Sequence, residues 1–293
     1  MATLRELKGR IGSVASSEKI TGAMKMISSA KMHKAELALK QLFPFRRQIE
    51  TIIANLLSAD AEFSSPLLEP REVRRIGVAV WGSDDGLCGA YNANIFKRLL
   101  PLIAEYRDKY GDDVELTVMP VGAKICKAVS KLSVPRLKVS VPEGIDSKSI
   151  GNDVKRFLES LCGKFAGGEF DKVDILYMHY RSVSRQDLRV EPLLPVEQSA
   201  FAVDGVAQSN RPCIFEPDVN TIFRSVLPMF LLAVMQDVFT ENRASEQAAR
   251  VMAMQSANDN AKKLLEQLQL EYNKLRQQGI TNELLDIVGG QVR

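Results

Sequence analysis

Histidine is nearly missing from this chain of 293 residues: His33 and His179 are the two it has, far apart in sequence. There is no H-E-x-x-H and no G-x-S-x-G string either, so nothing pairs a base with a metal or a nucleophile, and no catalytic, cofactor or metal site is expected. Cysteine is almost as rare. Cys88, Cys126, Cys162 and Cys213 show no C-x-x-C spacing, which speaks against a zinc site or a disulfide scaffold and for small, buried or half-buried thiols in a reducing compartment. Long hydrophobic runs are lacking too: the longest, residues 226–235, spans 10 residues and contains Pro228, against the roughly 20 that a membrane span needs. Arg5, Glu6 and Lys8 bring charge in at once, so no signal peptide is expected and the chain should work in the compartment where it is made. Aromatic residues are 6% and the net charge is +3, too little of either for a nucleic-acid surface. Residues 1–60 hold 10 basic and 5 acidic groups, an excess read as a solvated helix face.

Helix breakers are absent from long stretches at both ends. Pro44 is the one proline among the first 59 residues, and residues 229–278 contain neither proline nor glycine. Leu4, Leu7, Ile11 and Val14, then Ile20, Met24 and Ile27, then Ala35, Ala38, Leu42, Phe45, Ile49, Ile52 and Leu56 follow a heptad rhythm. Pro44 is expected to kink or break this helix near residues 41–43. At the other end, Pro217-Asp218 should open a short helix and Pro228 a longer one. Ala244, Ala248, Val251, Gln255 and Asn258 form a second seam, and Ala261, Leu265, Leu268, Tyr272 and Leu275 resume it after a slip that reads as a stammer. At about 1.5 Å per residue each rod would run to roughly 84–90 Å, too long for a compact core to cover. The two ends are therefore expected to wrap on each other as an antiparallel coiled coil, with the Met24 segment near Arg250.

The middle of the chain alternates strand and helix patterns, which implies an open α/β layer structure. Strands are expected at 76–81 and 114–119, helices at 91–109, 123–131 and 147–165, and a closing hairpin at 173–180 and 188–196. Residues 60–73 and 204–217 read as connectors, giving segments 1–60, 74–210 and 217–293. The loop at 82–92 matches no phosphate-binding motif and places Asp84 and Asp85 where a phosphate would need donors. It is read as a tight turn in which Gly86 and Gly89 supply unusual backbone angles, the two carboxylates standing alone. His33 should be solvated and His179 packed against a neighbour.

Residues 20–31 set Ala23, Met24, Ile27 and Ala30 on one flank beside Lys25 and Lys31, and residues 248–261 are equally small and methionine-rich. Such a surface suits a slender, low-relief rod turning inside a sleeve. With the Ala-Met-Lys-Met of the first helix go Ser-Asp-x-Gly-Leu-Cys-Gly-x-Tyr-Asn at 83–92, Ala-Ser-Glu-x-x-Ala-Arg at 244–250 and Ile-Thr-Asn-Glu-Leu at 280–284. Over essentially its whole length the sequence resembles the γ subunits of F-type ATP synthases. Asp85, Val251 and Pro44 depart from that family's usual pattern.

The resemblance implies a non-catalytic rotor: a coiled coil entering the α3β3 ring and a Rossmann-like α/β domain standing, with the ε subunit, on the membrane c-ring. Rotation of the c-ring by ion flow would then drive ATP synthesis on β. It implies that Met24, Lys25, Arg250, Gln277 and Thr281 face the β subunits and that Cys88 lies in a loop toward the lower rim of the ring. Ile287 and Val288 would sit in an apolar bearing at its top. Arg250, a lone cation among small side chains, is expected to stand prominent, and reversing its charge to impair coupling more than folding. Membrane association would be indirect, at the cytoplasmic face of a bacterial plasma membrane. A nucleotide-dependent enzyme and a coiled-coil adaptor without a rotary role are the competing readings.

Overall fold

The computed structural model describes residues 3–57, 65–197 and 216–290; Cys213 and parts of both expected connectors lie outside these. Helix α1, Leu4–Leu57, opens on a capping box: the Thr3 amide donates to Glu6 Oε2 at 2.9 Å and the Glu6 amide to Thr3 Oγ1 at 3.3 Å. It runs on through Pro44 without the expected break. An internal proline costs a helix about 3 kcal/mol. Burial on both flanks, by Met32 and Ala35 before it and by Ile49, Ile53 and Leu56 after it, opposes that cost. The expected pair of C-terminal helices is likewise one element, α5, Val219–Gly290, capped by Asp218 Oδ1, which accepts the Thr221 amide at 2.8 Å. Pro228 lies inside it, between the buried Phe223 and Leu227 and the buried Phe230 and Leu231.

The two helices are antiparallel partners, tied at the base by Arg46 Nη1 to Asp237 Oδ2 at 3.0 Å and higher up by Asn258 to Glu18. Burial corrects the expected seams. On α1 the covered positions run Leu7, Ile11, Val14, Glu18, Thr21, Lys25, Ser28, Met32, Ala35, Leu39, Leu42, Arg46, Ile49, Ile53 and Leu56, an unbroken alternation of four and three. Ile20 and Ile27, read as seam residues, are 60% and 56% exposed, and Phe45 and Ile52 also face outward. On α5 the seam passes through the buried Gln247 and Met254, giving Ala244, Gln247, Val251, Met254, Asn258, Ala261, Leu265, Leu268, Tyr272 and Leu275 with no stammer. In both helices polar residues hold seam positions, which a pattern of apolar letters does not show.

Between the helices lies a five-stranded sheet in the order β3-β2-β1-β4-β5. Strands β1 (Arg75–Trp81), β2 (Glu115–Val121), β3 (Leu137–Val139) and β4 (Lys172–Ser182) are parallel, and β5 (Arg185–Leu194) returns antiparallel to β4. The three-residue β3 carries too short a pattern to be seen in the sequence. Helices α2 (Tyr91–Tyr110) and α3 (Ala123–Val129) cover one face; α4 (Asn152–Ala166), α5 and the end of α1 cover the other. Along β1, Ile76, Val78 and Val80 enter the first layer, and Ala79 and Trp81 the second. Trp81 lies edge-on to Phe239 and Phe157, with ring centroids 5.3 and 6.1 Å away. By length and mean hydropathy α5 is apolar enough to cross a membrane. Phe223, Leu227, Phe230, Leu231 and Met235 are buried in this core, which accounts for the apolar composition of that part of the helix.

Candidate functional site

In an open α/β sheet the natural ligand crevice lies beyond the carboxyl ends of the strands where the order reverses. Here that place, between β1 and β4, is filled by α5. Asn242 Nδ2 donates to the Gly82 carbonyl at 3.1 Å, and the Tyr91 hydroxyl donates to Asn242 Oδ1 at 2.6 Å. Ser245 Oγ donates to the Met178 carbonyl at 3.0 Å, and His179 Nδ1 lies 2.6 Å from Glu241 Oε2. One turn on, Arg250 Nε donates to the Gly86 carbonyl at 3.1 Å, while its Nη2 reaches the Asp85 carbonyl at 3.3 Å and Glu246 Oε1 at 2.7 Å. Asn242, Glu246 and Arg250 lie in one i, i+4 row and Glu241 and Ser245 in the row beside it, so α5 enters the sheet end as a polar plug.

The plug is desolvated. The Glu246 and Arg250 side chains are 3% and 6% exposed. Burial pushes the Glu246 carboxyl above its ordinary range, against the opposing pull of Arg250, and raises Glu241 against His179 in the same way. Burial also drives the Tyr91 phenol well up, so it acts as a neutral donor.

The loop that receives Arg250 is built from its own residues. Asn92 Oδ1 accepts the Ser83 amide at 3.0 Å, Asn92 Nδ2 donates to Ser83 Oγ at 2.7 Å, and the buried Cys88 Sγ sits 3.6 Å from the same hydroxyl. Gly89 has the positive φ expected of it, 60°, but the other left-handed residue is Leu87, at 62°, rather than Gly86. Asp84 and Asp85 do not stand alone. Asp84 caps α3 by accepting the Ala123 amide at 2.9 Å and accepts Ser147 Oγ at 2.7 Å. Asp85 pairs with Lys148 at 2.9 Å, and that ammonium holds its carboxyl below the usual range. Ser147 is held by Asp84, residues 142–151 are turns and irregular chain, and α4 begins at Asn152, later than the sequence pattern predicts. Gly82 must lack a side chain, since a Cβ there would fall 2.5 Å from Ile125 Cβ.

The expected site residues therefore divide into two groups. Arg250, expected to stand prominent, is buried and turned onto the 82–89 loop, because the carbonyls and Glu246 offer it better partners than water. Cys88 is buried in that loop as well. Met24 and Lys25 are half-buried on the coiled coil, Lys25 within the seam. In the antiparallel pairing that joins Thr21 to Asn258, Met24 is level with the turn around Met254, one turn from Arg250. Gln277, Thr281, Ile287 and Val288 are exposed on α5 beyond the end of α1. His33 is solvated and His179 is packed, as read. Glu241 and Asn242 were missed, and Ser245, Glu246 and Asn258 entered only as motif or seam positions, without their contacts; the signal in residues 241–250 was polar side chains three to five apart in an alanine-rich helix. Among the described residues no group of three His, Cys, Asp or Glu gathers as a metal site would require.

A family model described as ATP synthase matches residues 3–292. An ATP synthase gamma chain of Phocaeicola vulgatus is 41% identical over 292 residues, covering 100% of both chains, and one of Bacteroides thetaiotaomicron is 37% identical over 302 residues with the same coverage. Among solved structures, a chain of the Euglena gracilis mitochondrial ATP synthase (OSCP/F1/c-ring, rotational state 3) superposes with a TM-score of 0.64 at 19% identity, covering 99% of this chain and 93% of that one. A chain of the Tetrahymena thermophila mitochondrial ATP synthase central stalk and c-ring covers 81% of this chain and 99% of itself, with a TM-score of 0.57 at 20% identity. Likeness at that identity carries the fold; the match in sequence runs from end to end, through the helix that plugs the sheet. This chain belongs to the ATP synthase gamma-chain family.

Proposed function

We propose that this chain is the central shaft of an F-type ATP synthase, a non-catalytic subunit that carries rotation of the membrane c-ring to the catalytic β subunits of the α3β3 ring. The observation that carries the reading is the polar plug: a long rod is fixed at its base into the sheet end that would otherwise hold a ligand. A domain joined to a rod by directional, desolvated bonds turns with it, and torque applied to the domain reaches the coiled coil. So far as their residues are described, segments 1–60 and 217–293 supply the rod, and 74–210 the domain that stands with ε on the c-ring.

Met24, Lys25, Gln277 and Thr281 are the contacts toward β on this reading, and Ile287 and Val288 seat the tip in an apolar bearing. Arg250 and Cys88 act from beneath by holding the 82–89 loop, whose Leu87 is exposed toward the ring. The chain binds no nucleic acid and touches the membrane through the complex, at the cytoplasmic face of a bacterial plasma membrane. The test is reconstitution with α and β chains of the same organism: one copy should join each α3β3 ring, and a bead fixed to its domain should turn as ATP is hydrolysed. Failure to enter the ring, or hydrolysis by the chain alone, would favour the adaptor or the enzyme reading.

A further inference from the structure

Between the buried Leu7 and Ser28, the seam of α1 is Ile11, Val14, Glu18, Thr21 and Lys25, all half-buried. Opposite this weakly apolar stretch α5 presents a buried asparagine, Asn258. Its Nδ2 donates to the Glu18 backbone carbonyl at 2.7 Å and lies 3.3 Å from Thr21 Oγ1 and 3.4 Å from Glu18 Oε1. The threonine is itself oriented, its hydroxyl donating to the Ser17 carbonyl at 2.9 Å. Glu18, Thr21, Gly22 and Lys25 are the i, i+3, i+4 and i+7 corners of the hole that a knob on the facing helix fills.

Gly22 is what lets an amide into that hole. A Cβ at Gly22 would lie 3.3 Å from Asn258 Nδ2, whereas Cβ atoms at Gly9 and Gly12, the other glycines of α1, would meet nothing within 4 Å. Glycine inside a helix is destabilising relative to alanine. At this one position the missing side chain is matched by a partner lying over the bare backbone. In the neighbouring holes, one heptad away on either side, Ala15 or Ser29 stands where Gly22 stands here.

We propose that Asn258 and Gly22 together pin the register of the two helices above the α/β domain. An apolar knob fits one hole nearly as well as the next, so a seam of apolar residues resists sliding poorly. A buried amide is satisfied in one hole, and displacing it leaves a polar group without its partner. The pin is a property of the coiled coil and does not rest on the rotary reading; within that reading, it makes the two helices twist as one rod.

The test measures register directly. Spin labels at Ser13 and Ser256, both exposed, in a full-length chain whose native cysteines are replaced by alanine, sit about 15 Å out of level, so sliding changes their separation. The unmodified pair should give one narrow distance. Asn258→Leu should broaden the distribution or add a second distance, by up to about 10 Å for a slip of one heptad, without lowering Tm. A single unchanged distance overturns the proposal. Independently, Gly12→Ala should raise Tm while Gly22→Ala lowers it, and that contrast should vanish when Asn258 is also alanine. An equal response to alanine at Gly12 and Gly22 would equally overturn it.

Discussion

Arg250 brings a full charge into a site water barely reaches, and its partners there are two loop carbonyls and one carboxylate. Breaking a buried pair by removing one member costs about 3–5 kcal/mol, because the other charge is left uncompensated. Arg250→Glu would set two carboxylates against each other beside Asp85, so the variant should lose stability on that scale in thermal unfolding. This reverses the expectation drawn from sequence, in which alanine and methionine neighbours suggested a surface cation that could be reversed without harm to folding. A Tm within a degree of the parent would restore the surface reading. Asp171 offers a pH-dependent counterpart. Burial alone would raise its carboxyl, but the Arg75 guanidinium and the amides of Arg74 and Arg75, at 3.1 and 2.9 Å, outweigh burial and hold it below its ordinary value. A depressed folded value means stabilisation that is present above the unfolded pKa near 4 and is lost as pH falls through the folded one. Asp171→Asn should therefore cost about 2 kcal/mol at pH 7 and progressively less toward pH 3, the two stability curves converging on acidification. Parallel curves across that range would show that the carboxylate's charge is not what matters.

Among the elements, α1 is the one whose apolar letters mislead. They mark Ile20, Ile27, Phe45 and Ile52 as seam positions, yet the partner helix covers Thr21, Ser28, Arg46 and Ile53 instead. Periodicity reports where hydrophobicity recurs and is silent on which side of a helix meets its neighbour when more than one side is apolar. The stripe left outside is what a shaft enclosed by other subunits would present. Pro44 sits on the exposed side of the same helix, within continuous helical structure. Pro44→Ala restores a backbone donor and removes a ring that crowds the preceding turn, so it should stabilise the helix by up to about 3 kcal/mol, read as a rise in Tm followed at 222 nm. A fall in Tm would mean instead that the proline's distortion is needed to seat Ile49, Ile53 and Leu56 against the domain core.

Taken as a whole, the molecule is fixed at one end and slender at the other. Trp81, Phe157 and Phe239 lock the base of α5 into the sheet, while beyond Leu275 the helix meets no partner among the described residues of the chain and its own described side chains are mostly exposed. Ending the chain at Leu275 removes Gln277, Thr281, Ile287 and Val288 together, yet no buried side chain among the described residues. The truncated chain should keep its Tm, since changes at exposed positions usually stay within about 0.5 kcal/mol. In the assembled complex, ATP synthesis should fall more than hydrolysis, because one elementary charge crossing 100 mV supplies only about 2.3 kcal/mol and several must be pooled through a shaft that does not slip. Loss of folding in the isolated truncated chain would show that the tip packs on something within the molecule.

Composition and local pattern by themselves determined the two long helices, the parallel strands β1, β2 and β4 with their covering helices, the hairpin to β5, and the Asp218 cap, because each is specified by residues within a few turns of one another. They also determined the family, through motifs read in order along the chain. Four things waited for the tertiary structure: the continuity of α1 and α5 through their prolines, the true seam of each helix, the inward turn of Arg250, and the pairing of Asn258 with Gly22. Each depends on what stands opposite a residue, here 160 to 240 positions away in sequence. Burial against a distant partner decides whether a proline is tolerated, and whether a charge is solvated or locked to carbonyls.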